Sequence, residues 1–152
     1  MAVVSDSTTL IILENANRFD LLGNLFTEIF IPQAVWEEIH AKEGISLPIF
    51  IRLSTIEKSQ ELETLLYLLD LGESEAILLA KAKNLPLIID EKKGRKIASK
   101  MGIKIVGLLG ILYLNVKRVY MTKEEAQIFL NQVRESGFRI SQRLIDEMFE
   151  SL

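Results

Sequence analysis

"VVSDSTTLI", Val3 to Ile11, sets a short apolar run against an acid and then three hydroxyl residues. Ala2 to Ser5 is too short and too continuously apolar for an amphipathic helix, and its β-branched residues suit a strand buried on both faces. Asp6 stands where that strand ends. "LPLIID", Leu85 to Asp90, repeats the arrangement, an apolar run halted by an acid. "EIFI", Glu28 to Ile31, and "IKIV", Ile103 to Val106, read as further short strands, the latter bounded by Gly102 and Gly107.

Helical segments separate these runs. Thr8 to Ala16 and Asp20 to Phe26 read as two short helices, and Pro32 opens one that reaches about Lys42. Gly44 to Ser54 is expected to be a loop, with an edge strand as the alternative. Glu57 to Leu69 reads as a helix, and "DLGE" restarts one running to Asn84. Glu91 to Met101, Leu108 to Val116, Lys123 to Ser136 and Ser141 to the end complete the set, with Thr122 and Ser141 as N-caps. Buried strands alternating with helices imply a sheet covered on both sides. The expected class is α/β, a three-layer α/β/α domain with a central, mainly parallel sheet. It forms one domain over residues 1–152, with helices from about residue 122 packed on it.

At 152 residues, with 49% hydrophobic and 26% charged residues, the chain can bury one sizeable core. It has no cysteine, which excludes disulfides, zinc–thiolate sites and thiol catalysis. No segment approaches the roughly 20 apolar residues of a membrane span, and the N-terminus lacks the pattern of a secretory leader. We therefore expect a full-length cytoplasmic protein without membrane contact. A net charge of −3 argues against gripping nucleic acid through overall positive potential, but leaves room for a local basic patch.

In parallel α/β sheets ligands sit beyond the carboxyl ends of the strands, where Asp6 and Asp90 stand. Each acid also has a bland alternative as the cap of the following helix. In "PQAVWEEI" the apolar face of Val35, Trp36 and Ile39 leaves Glu37 in solvent and lets Glu38 lean toward the sheet edge. In "DLGESEAILLAKA", Asp70 and Glu73 resemble a capping box, which gives Glu73 a local task and leaves Glu75 at the rim of burial. Two unit charges roughly 4 Å apart repel by about 4 kcal/mol at an effective dielectric near 20, so converging carboxylates call for cations. Oxygen ligands favour Mg²⁺ or Mn²⁺, and phosphodiester hydrolysis is the chemistry that follows. The sole histidine, His40, is expected to face solvent.

"VVSDSTTLI", "IPQAVWEEI" and "GESEAILLAKAKNLPLIIDEKKGRKIA" resemble, in that order, the PIN-domain family of metal-dependent ribonucleases, and in particular the prokaryotic PIN-like proteins related to VapC-type toxins. The likeness spans almost the whole chain. It implies catalytic and metal-binding roles for Asp6, Glu38, Glu75 and Asp90, with Glu91 as the alternate to Asp90. It also points to Ser7 and Thr8 as substrate-binding hydroxyls. The third acid is Glu where many relatives have Asp, and "IIDEKKGR" replaces the usual Thr, polar residue, Asp pattern, so a helper hydroxyl for the last acid is missing.

The basic run Lys92, Lys93, Arg95 and Lys96 reads either as a solvated helix face or as a phosphate clamp, with Lys92, Lys93 and Arg95 as the substrate-binding residues. Lys117 and Arg118 extend it. The resemblance implies RNA as substrate, an antitoxin protein as partner, and a homodimer to which Leu21, Leu22, Leu25 and Phe26 could contribute, although the core accounts for them equally well. The leading expectation is an endoribonuclease of toxin type. Against it stands a PIN-like module that binds nucleic acid or protein without cleaving. A phosphatase with Asp6 as nucleophile ranks last, because Thr8 occupies the position where a second Asp is needed.

Overall fold

The computed structural model describes all 152 residues. Its strands are β1 (Ala2–Ser5), β2 (Glu28–Ile31), β3 (Ile51–Leu53), β4 (Leu87–Ile88) and β5 (Ile105–Val106). They form one sheet in the order β3-β2-β1-β4-β5, every pairing parallel. Chain order runs outward from β1 in one direction and resumes at β4 in the other. The topological switch point therefore lies between β1 and β4, beyond whose carboxyl ends Asp6 and Asp90 stand.

Alternation along the strands divides the interior into two layers. Val3, Ile29, Ile31 and Ile88 face a larger core, while Val4, Leu87 and Ile89 face a smaller one. The larger is built with α1 (Ser7–Asn15), α2 (Asp20–Gly23), α3 (Gln33–His40), α7 (Leu108–Lys117), α8 (Lys123–Glu135) and α9 (Gln142–Glu150). The smaller packs α4 (Gln60–Leu66), α5 (Leu71–Lys83) and α6 (Lys92–Lys100). Because both faces are covered, the strands can be apolar at consecutive positions, and the expected three-layer α/β/α class is the observed one. Phe129, Leu130 and Val133 of α8 and Ile145 and Met148 of α9 join the larger core. No helix is long and apolar enough to cross a membrane.

Several elements are shorter than the periodicity suggests. The Asp20 to Phe26 helix stops at Gly23, and the β4 ladder covers only Leu87 and Ile88 of the Leu85 to Asp90 run. The helix expected from Glu57 begins instead at Gln60, where the Ser59 hydroxyl accepts from the Leu62 N–H at 3.1 Å. Gly44 to Ser54 supplies the edge strand β3. Leu21, Leu22, Leu25 and Phe26 are all buried within the chain, where the core accounts for them. A buried amide helps hold that region: Asn115 of α7 donates to the carbonyls of Leu21 and Ile111, each at 2.9 Å, and accepts from Asn24 at 3.0 Å.

Candidate functional site

Asp6 leaves β1 and opens α1, and its N–H donates to the Ile88 carbonyl at 2.9 Å, which pins it against β4. The residue is only 5% exposed and its side chain caps nothing. Burial pushes its carboxyl up to about 7; an N–H from Ser7 pulls it down, and the negative charges of Asp70, Glu38 and Asp90 push it further up. Acids from four other segments of chain thus surround the end of β1 or lie next to it: α3, the start of α5, the end of β4 and the start of α6.

Each acid is held by identifiable neighbours. Glu38 Oε2 accepts from the Ser7 hydroxyl at 2.8 Å, so Ser7 positions an acid. Asp90 accepts from the Leu108 N–H at 2.9 Å, which caps α7, and from the Thr9 hydroxyl. Glu91 caps α6 by accepting from the Gly94 N–H at 2.6 Å. Burial pushes the Glu91 carboxyl up, but N–H groups of Gly94 and Lys93 outweigh it and the net direction is downward. Asp70 Oδ1 accepts from the Glu73 N–H at 2.8 Å at the start of α5.

Glu73 itself is 9% exposed, and its buried Oε2 has no hydrogen-bond partner. Burial first, then the neighbouring carboxyls of Asp70 and Glu91, raise its carboxyl to about 8.

Glycines make room for these oxygens. A Cβ at Gly72 would collide with Glu38 Oε1. One at Gly94 would lie 3.0 Å from Glu73 Oε2 and 3.4 Å from Glu91 Oε2. At Gly107 it would lie 2.8 Å from Asp90 Oδ1 and would collide with an Arg95 nitrogen.

Of the acids expected from sequence, Glu38 and Asp90 lie near enough to Asp6 for their charges to act on it, and Glu75 is engaged in a bond of its own. Glu75 Oε1 accepts from the Ala34 N–H at 2.9 Å and caps the first turn of α3. Residues two apart on a helix point about 200° away from each other, so Glu73 and Glu75 cannot face the same site. Glu73 is the one that lies with Asp70 and Glu91 in the hollow beside α6. The capping-box pattern hid this, because only its first half forms: Asp70 accepts from Glu73, but the Glu73 carboxylate does not reach back.

Asp70 and Thr9 were also missed. Thr9, one helical turn after Asp6, supplies the hydroxyl that the "IIDEKKGR" segment lacks, whereas Thr8 makes no such bond. His40 stacks on Trp36 at 4.1 Å on the exposed side of α3, as expected. Glu37 is exposed as well and accepts from Gln33 at 3.0 Å.

The basic run divides around the first turn of α6. Lys93 lines a hollow of about 350 Å³ with Asp70, Glu73, Glu91 and Tyr67. Lys92 and Arg95 line a larger cleft of about 810 Å³ that begins at Asp90. Lys96 lines neither.

No three acidic or histidine side chains are drawn together into a finished ion site. In kind, however, the donors fit a hard cation. All are carboxylate oxygens, one is buried and unpartnered, and absent Cβ atoms leave several of them room. Over residues 2–152 the chain matches the family described as PIN domain. No curated protein matches it.

Proposed function

Since the chain belongs to the PIN-domain family, whose members are generally nucleases, we propose that it is a metal-dependent endoribonuclease of VapC toxin type. The observation that carries this reading is Glu73 Oε2, a buried carboxylate oxygen without a partner among other acids. Such an oxygen calls for a proton or a cation. Asp6, Glu38, Glu73 and Asp90 would hold the ion, with Asp70 and Glu91 beside them. A bound Mg²⁺ or Mn²⁺ would supply Lewis-acid stabilisation of a phosphodiester and a water of lowered pKa.

The chain's own residues do the rest. Ser7 fixes the Glu38 carboxylate and Thr9 that of Asp90, which limits how far either acid can swing. Arg95, lodged against Gly107, and Lys93, beside Glu91, offer positive charge to phosphates on the two sides of α6. The reading carries with it RNA as substrate, a cytoplasmic location, an antitoxin protein and a second copy of the chain as partners.

A second reading, a PIN-like module that binds without cleaving, draws support from the structural duties that Asp90 and Glu91 already perform as helix caps.

Asp6→Asn separates the two. It removes an ionisable oxygen and almost no volume, so Mn²⁺-dependent cleavage of RNA should fall by several orders of magnitude while the circular-dichroism spectrum stays unchanged. Wild-type protein that leaves RNA intact in Mn²⁺ would favour the second reading, and cleavage that survives the substitution would remove Asp6 from the site.

A further inference from the structure

We propose that the cleft between β5, α6, α7 and the α8–α9 connection is the track for single-stranded RNA leading away from the acids, so that the C-terminal helices are part of the substrate site. Such a track rests on the ribonuclease reading above and extends it.

The cleft of about 810 Å³ includes Asp90 in its wall and so meets the acids at that one residue. Three cations line it: Lys92 and Arg95 from α6, and the exposed Arg139 from the connection ahead of α9. None of them takes part in any of the five ion pairs of the molecule. The only hydrogen bond among them is a long one, 3.4 Å, from Arg95 to the Ile89 carbonyl.

The two acids lining the cleft are, by contrast, already engaged. Glu147 is paired with Arg143 at 3.0 Å, and Asp90 accepts from Leu108 and Thr9. Within a chain of net charge −3, this groove thus holds three cations without ion-pair partners, and Asp90 stands in its wall. The complementary occupant is an anion that extends from the site, which a nucleic-acid backbone is.

Half-buried Tyr113 and Phe138 line the same cleft among the cations. Aromatic faces beside cations are the usual platform for unpaired bases, whereas a duplex hides its base faces. The combination therefore selects single-stranded RNA over duplex.

The test measures the affinity of a fluorescent single-stranded RNA by anisotropy in EDTA, where binding is separated from cleavage, and repeats it over a salt series. Arg139→Glu should weaken binding about tenfold or more and flatten the salt dependence by about 0.7 in slope for each phosphate that is no longer neutralised. Phe138→Leu, which keeps apolar bulk against the core, should weaken it up to about tenfold through the absence of stacking. Lys123→Glu, an equal change of charge outside the cleft, should leave affinity as in wild type. In Mn²⁺, Arg139→Glu should raise KM and leave kcat nearly unchanged.

Unchanged affinity and salt slope in both cleft variants, with wild type still binding and cleaving, would overturn the track and leave the ribonuclease reading standing; it is the result expected of a groove that receives a polypeptide. Wild type that binds no RNA even at low salt would overturn both.

Discussion

Glu73 and Glu75 show how little separates a metal ligand from a helix cap. Both are glutamates in the first turns of α5, yet one sets its carboxylate beside Asp70, Glu91 and Gly94 and the other accepts from the N–H of Ala34. Their roles predict opposite phenotypes. Glu75→Ala should lower stability to urea by about 1 kcal/mol, the usual worth of a cap, and keep the rise in Tm that Mn²⁺ produces. Glu73→Gln should abolish that rise and cost little stability, because it removes a buried oxygen that is unpartnered when charged. The reverse pattern in thermal-shift measurements would restore Glu75 to the site. The sequence was readable here only in part. Spacing identifies which acids are near a strand end, but whether a capping box closes depends on what lies opposite the carboxylate, and that partner comes from β1 and α6.

At the scale of elements, short helices and strands are held by tertiary bonds more than by their own propensity. α2 has only four residues, Asp20–Gly23, and it is fastened to α7 through Asn115. Asn115→Ala would strand the Leu21 carbonyl and leave Asn24 without its acceptor. It should therefore destabilise by about 1–3 kcal/mol in urea unfolding, the range for breaking a buried hydrogen-bond set. A loss below a few tenths would show that water replaces the amide. The same dependence explains the element boundaries. Leu85 to Asp90 is mostly apolar, yet its ladder is confined to Leu87 and Ile88, between Pro86 and the turn into α6, where both neighbouring strands are present.

For the whole molecule the buried acids link stability to pH and to divalent cations. The ordinary values for Asp6 and Glu73 are 3.8 and 4.5, and the fold raises them to about 7 and about 8. Below about pH 4 both are protonated folded or unfolded, and their contribution is fully present. As pH rises toward 8 the unfolded chain gives up these protons first while the native state keeps them. Stability should therefore fall across that window, for Asp6 by an amount on the order of 4 kcal/mol at most. Glu91 acts in the opposite sense, but its exposure makes its share small. Mn²⁺ competes with the same protons, so its effect on Tm should be larger at pH 8 than at pH 5, with protons released on binding. Calorimetry in two buffers of different ionisation enthalpy would detect that release. A metal shift equal at both pH values would mean that the ion binds elsewhere.

By itself the sequence determined the class of the fold and the end of the sheet where chemistry would gather. Continuous apolar runs demand a sheet covered on both faces, and the acids that stop them must lie at its carboxyl edge. It also determined that the acids would be oxygen donors without thiol or clustered imidazole. Only the tertiary structure decided which acids meet. Thr9 meets Asp90 because β4 pairs with β1, and Glu73 meets Glu91 because α5 packs on α6, bringing together residues far apart in the chain. Local pattern records what a residue can do for its own helix. The direction in which a buried carboxylate turns is set by the charges and hydrogen-bond donors that other segments bring to it.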